Sequence, residues 1–124
     1  GITTLLLASH EPDEAYKTAF DGVVAYYPTC REEMQTRKTE IPLQVHIGSI
    51  DEWASADRCK ALQATEGFKS SEFNYYENTH HLFDGRSGGS AICYKGVPCA
   101  YGPNKEANDL SRERVKAFLA RTLN

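Results

Sequence analysis

The sequence has no apolar run approaching the roughly 20 residues that a membrane-spanning helix needs. Nor does it carry a basic segment followed by an apolar core and a cleavage site. No membrane span and no signal peptide are therefore expected. Positive charge is not in excess: 14 Lys and Arg stand against 17 Asp and Glu, a formal net charge of -3. That argues against nucleic acid or an anionic membrane as partner. There is no C-x-x-C pair, the spacing on which most structural zinc sites are built. No internal repeat and no low-complexity tract appears, which excludes solenoid architectures and a disordered linker.

What remains is a chain of 124 residues, 40% hydrophobic and 25% charged. That is the mixture of one soluble globular domain. A chain of this length buries roughly two-thirds of its unfolded surface, so a real core is available. Four cysteines, Cys30, Cys59, Cys93 and Cys99, can pair in three ways or stay reduced. Cys93 and Cys99 flank a short Gly/Pro turn, whereas Cys30 and Cys59 would have to meet across the fold. Disulfides would imply an oxidising compartment; the sequence alone leaves the compartment open.

The element order is read from periodicity. Ile2 to Ala8 reads as two turns of a buried helix. A polar stretch follows, interrupted by Pro12. Asp21 to Pro28, rich in β-branched and aromatic residues, reads as a strand stopped by proline. Ile41 to Ile47 is a second strand, with Leu43, Val45 and Ile47 on one face and Gln44 and His46 on the other. A central parallel strand usually reads as continuous Val, Ile and Leu, so the Gln44/His46 face is expected to be poorly covered. His46 and His10 read as surface residues. Trp53 to Thr65 is helical by the spacing of Trp53, Ala56, Cys59 and Leu62. Glu72 to Tyr76 is a third strand. A long loop from Leu82 to Asn104 holds a short hairpin with Lys95-Gly96 at its tip. Lys105 to Leu123 is an amphipathic helix with Leu110, Val115, Phe118, Leu119 and Thr122 on one face. Strands alternating with helices imply an α/β fold with a short, mainly parallel sheet of about three strands between helices.

Chemistry is concentrated in "IGSIDEW", directly after the second strand, and "YYENTHHLFD", directly after the third. In open α/β sheets ligands bind beyond the carboxyl ends of the strands. Asp51 and His81 both fall there, and a carboxylate beside an imidazole fixes the tautomer that general-base chemistry needs. His80 and Glu52 are the neighbouring rivals. On residue type alone, an Asp before a helix is also an ordinary cap and a loop His an ordinary solvated one. Trp53 reads as a packing residue, with substrate stacking as the alternative. Arg58 and Arg86 read as solvated charges, with a carboxylate clamp as the alternative. Asp84 reads as a loop anchor.

Strand, G-x-x-D-x-W, a helix with an Arg-Cys pair, strand, then H-x-F-D resembles the dienelactone hydrolase family. "YYPTC" at 26–30 and "RERVKAFLARTL" at 112–123 are similar to further stretches of it. The resemblance implies an α/β-hydrolase fold and hydrolysis of lactones or other carboxylic esters, with no metal and no organic cofactor. Carried over position by position, Asp51 is the acid and His81 the base, since the family's base precedes the apolar-Phe-Asp triplet.

In α/β-hydrolases the nucleophile sits on a sharp strand-to-helix G-x-S-x-G turn ahead of the acid and the base. No such turn, with serine or cysteine, is found here. Ser9, Ser49 and Ser90 are the nearest hydroxyls to the proposed site and none has that setting. The resemblance therefore implies the C-terminal part of a hydrolase, inactive or weakly active alone. The alternative is a non-enzymatic binding or oligomerising module on the same fold. A small ester or lactone is the expected ligand. The first strand, lacking a neighbour, is expected to leave an exposed edge that favours a homo-oligomer.

Overall fold

A computed structural model of the chain describes residues 2–9 and 19–123; the segment with His10 and Pro12 lies outside them. In chain order the elements are α1 (Ile2–Ser9), β1 (Val23–Tyr26), a 3₁₀ turn (Glu32–Thr36), β2 (Leu43–Gly48), α2 (Ala56–Gln63), β3 (Glu72–Tyr76), β4 (Gly89–Ile92), β5 (Pro98–Tyr101) and α3 (Lys105–Thr122). The first three strands form a parallel sheet in the order β1-β2-β3, with Val23 opposite Leu43 and Gln44 opposite Glu72. β4 and β5 form a separate antiparallel hairpin. The result is a three-stranded parallel sheet with flanking helices, the arrangement of a partial α/β-hydrolase fold.

Side chains alternate across the sheet, so the two faces are covered by different helices. Val23, Ala25, Leu43, Val45 and Ile47 share one core with Leu5 and Ala8 of α1 and with Cys59 and Leu62 of α2. Each aliphatic side chain of this kind contributes about 1.5–3 kcal/mol on full burial. α3 lies on the opposite face. Gln44 donates to the Arg114 carbonyl at 3.3 Å, and the Tyr26 hydroxyl donates to Ser111 Oγ at 2.9 Å.

That second face corrects two expectations. β2 is buried at every position, and His46 is 0% exposed, a core residue rather than a surface one. Its polarity is absorbed by Tyr76 on the neighbouring strand and by Gln44 two residues back on its own. Tyr76 Oη lies 2.7 Å from His46 Nδ1, and Gln44 Oε1 lies 2.9 Å from Nε2. Gln44 in turn donates to Glu72 at 3.0 Å. The amide's oxygen accepts from the imidazole N–H, leaving Nδ1 to accept from the phenol. The Tyr26 ring stacks on His46 at 4.8 Å between centroids.

α3 buries the expected face in part, with Phe118 buried and Val115, Leu119 and Thr122 half-buried, and adds two small residues outside it. Its buried residues are Ala107, Ser111 and Phe118, while Leu110 is exposed. Small residues at 107 and 111 let the helix approach the sheet closely. Asn104 caps it, accepting from the Ala107 amide at 3.1 Å. α2 begins at Ala56, later than the periodicity implies, with Ser55 as its cap. Trp53 therefore sits in the turn that precedes the helix.

The cysteines pair as Cys30–Cys59 and Cys93–Cys99. The first joins the segment after β1 to α2. The second closes the β4–β5 hairpin.

Candidate active site

The chain leaves β2 at Gly48, where a β-carbon would meet the Thr79 carbonyl oxygen at 1.9 Å. Only glycine allows the loop after β2 to run this close to the loop after β3. The two loops are then laced by main-chain bonds, from Ser49 N to Tyr76 O at 2.8 Å and from Ile50 N to Thr79 O at 3.2 Å. Asn78 N adds a bond to Ser49 Oγ at 3.0 Å. This lacing fixes where Asp51 and His81 stand.

Asp51 uses its two oxygens differently. Oδ1 accepts from the amides of Trp53 and Ala54, each at 2.8 Å. Oδ2 lies 2.8 Å from His81 Nδ1. The capping role and the pairing role are thus both filled by one carboxylate. Its side chain is 0% exposed, while that of His81 is 20% exposed. A carboxylate can only accept, so Nδ1 carries the proton and Nε2 is left with its lone pair free. The imidazole is held by a buried anion while its side chain remains partly exposed to solvent.

Aromatic rings complete the surroundings. Tyr27 lies 4.5 Å from the His81 ring and Trp53 stacks with it at 5.9 Å. Tyr27 donates to Asp84 at 3.1 Å, which anchors the loop after His81. Burial first, and then the Asp84 charge, push the Tyr27 phenol up to about 12, so it remains a neutral donor. Among the described residues, four other than glycine adopt positive φ, and all lie on the loops at this rim: Tyr27 (38°), Ser55 (54°), Asn78 (51°) and Leu82 (57°). Left-handed backbone in bulky residues costs of order 1–3 kcal/mol and tends to gather at functional sites.

Of the sequence-predicted residues, Asp51 and His81 are brought together and their neighbours are not. Glu52 faces the hairpin, accepting from the Ala100 amide at 3.4 Å. His80 does not bond Asp51; it lines a cavity of about 410 Å³ with Ser49, Asp51 and Lys95. Its Nδ1 is buried without a partner among the described residues. β5 is anchored at His81, whose carbonyl accepts from Gly102 N at 2.9 Å. Tyr27 escapes sequence reasoning, although it lies inside the Y-Y-P-T-C stretch that carries part of the resemblance.

Among the described residues, no hydroxyl or thiol side chain bonds His81 Nε2. Ser9 donates back to Leu5 O at 2.7 Å inside its own helix, Ser49 is occupied by Asn78, and Ser90 is exposed on β4. The string Gly85-Arg86-Ser87-Gly88-Gly89 does contain the letters G-x-S-x-G, which corrects the expectation that the pattern is missing altogether. It is not a nucleophile elbow. It follows the base in chain order, runs through exposed coil into β4, and Ser87 lacks the positive φ of the strained turn.

Comparison with protein families gives a match to a model described as the dienelactone hydrolase family over residues 6–123, nearly the whole chain. Neither the curated proteins nor the solved structures contain a match. With the parallel sheet and the order of its motifs, this match carries one conclusion: the chain belongs to the dienelactone hydrolase family.

Proposed function

We propose that Asp51 and His81 are the acid and base of a carboxylic ester or lactone hydrolase. The observation that carries this is the 2.8 Å bond from His81 Nδ1 to the fully buried Asp51 Oδ2, with the imidazole still partly exposed. In the reaction, His81 Nε2 takes a proton from the attacking oxygen or sulfur. The buried carboxylate stabilises the imidazolium that results, and the same nitrogen then returns the proton to the leaving alcohol.

With no strand-to-helix elbow in this sequence, the attacking group proposed for the chain alone is water. General-base catalysis contributes typically 10²–10⁴-fold, far less than acyl transfer through an activated nucleophile and an oxyanion hole. The chain alone is therefore expected to be a weak hydrolase. A residue supplied from outside it, on a longer chain or a partner, would turn the same pair into the distal two-thirds of a triad.

Hydrolysis of p-nitrophenyl acetate tests the reading. The chain is expected to accelerate hydrolysis above buffer. His81→Ala abolishes that increment. Asp51→Asn, which removes the anion but keeps a similar shape, lowers it by at least tenfold. A His81→Ala protein that hydrolyses the ester as fast as the parent would remove His81 from the reaction.

A further inference from the structure

A second cavity lies on the far side of Trp53 from the site, and its lining has a definite chemical character. It measures about 660 Å³ and is bounded by Trp53 and Arg58, by Thr29, Arg31 and Glu33 from the segment after β1, and by Tyr94 from the hairpin tip. Trp53 belongs to both places, since its ring stacks with His81 at 5.9 Å and also lines the cavity. The indole Nε1 is buried and has no hydrogen-bond partner among the described residues.

The charges are unequal in their engagement. Arg31 is paired with Glu33 at 3.5 Å. Arg58, exposed on the first turn of α2, pairs with no carboxylate among the described residues and instead lies over the Tyr94 ring at 5.7 Å. Tyr94 reaches this position because Cys93–Cys99 closes the hairpin at its tip and β5 is bonded to the His81 loop at its base. Glu32 also lines the cavity and forms no ion pair with Arg58. The Trp53 and Tyr94 rings and the Arg58 guanidinium thus border one space, with Glu32 and the Arg31–Glu33 pair on its rim.

We propose that this cavity is a specificity pocket for a planar aromatic group bearing a carboxylate or similar anionic acceptor, the part of an ester substrate that does not react. The ring lies against Trp53 and Tyr94, and the acceptor faces Arg58. Guanidinium bound to carboxylate is the stronger kind of hydrogen bond, and a guanidinium over a ring favours flat partners. The pocket's role in substrate choice rests on the ester-hydrolase reading above; its affinity for the ligand does not.

The chain contains a single tryptophan, so intrinsic fluorescence reports on Trp53 alone. The full chain is titrated with benzoate, benzamide and cyclohexanecarboxylate. Benzoate is expected to change the emission saturably and to bind at least fivefold more tightly than either of the others. Arg58→Gln removes that advantage over benzamide, and Tyr94→Leu weakens benzoate and benzamide alike. Both replaced side chains are exposed, so folding is not at stake. Absence of saturable binding, equal affinity for cyclohexanecarboxylate, or unchanged benzoate affinity in Arg58→Gln overturns the proposal. Because the measurement is binding, it does not depend on proton transfer at His81. Loss of hydrolysis with binding retained sinks only the catalytic reading, and the converse result sinks only the pocket.

Discussion

His46 shows how far a residue's setting can depart from what its own neighbours in sequence suggest. Alternation along β2 marks it as facing a thinly covered side, yet it is fully buried under α3. The signal that would correct this is not local, because its partner Tyr76 lies on the next strand and Arg114 near the far end of the chain. Burial first, then the nearby Arg114 charge, lower its imidazole from the ordinary 6.5 to about 4, with Glu72 opposing. The folded state therefore refuses a proton that the unfolded chain accepts below about pH 6.5. Stability from this group is complete above that pH and is lost progressively as the pH falls towards 4. The loss amounts to about 3 kcal/mol, since each tenfold difference in proton affinity between the two states is worth roughly 1.4 kcal/mol. Urea midpoints followed from neutral pH down to about pH 4 are expected to fall across that window and to fall much less in His46→Gln. Glu72 acts in a separate range. Burial raises its carboxyl, but bonds from Arg121 and Gln44 outweigh this and hold it below the usual value. Its share is lost only at more acid pH. By contrast, Asp51 and His81 are legible as a pair, because each closely follows a strand and the strands are legible themselves.

At the scale of elements, strands and helices are legible to within a few residues where periodicity is strong, as in β3 and the start of α3. The buried face of α3 is legible in its second half, at Phe118, but not in its first, for a physical reason. Counting large apolar residues selects Leu110, whereas close packing on a polar sheet face selects Ala107 and Ser111, with Phe118 a further two turns on. Loop contacts are the least legible, because they depend on which backbones touch. Gly48 is the clearest case. Gly48→Ala sets a methyl group against the Thr79 carbonyl carbon at 2.5 Å as well as its oxygen, and neither is the movable end of a side chain. The loop after β3 must shift, and with it His81. Forced overpacking of this kind costs about 1–3 kcal/mol. The expected result is a folded protein by far-UV circular dichroism, with a lowered urea midpoint and at least tenfold less His81-dependent hydrolysis of p-nitrophenyl acetate. Retention of full activity would show that the lacing of the two loops does not set the distance between Asp51 and His81.

For the molecule as a whole, the two disulfides divide the labour unequally. Cys30–Cys59 spans 29 residues of sequence and crosses the main core, where both cysteines are buried beside the Pro28 carbonyl. Cys93–Cys99 spans only 6 and constrains a hairpin whose Ile92, Tyr94 and Val97 are exposed. Chain-entropy reasoning gives about 3–4 kcal/mol for a loop of the first length and about 2 kcal/mol for the second. The first also ties the segment carrying Tyr27 to the helix that follows Asp51 and Trp53, so it braces the site from beneath. The pair Cys30→Ala and Cys59→Ala is expected to lower the melting temperature by roughly 10 °C for a domain of this size. Cys93→Ala with Cys99→Ala should lower it by less, while loosening the position of Tyr94 over Arg58. In the latter protein Trp53 fluorescence should still report a folded core, but benzoate affinity should drop. Equal melting shifts from the two double variants would mean that the hairpin is as integral to the fold as the sheet, contrary to the burial pattern.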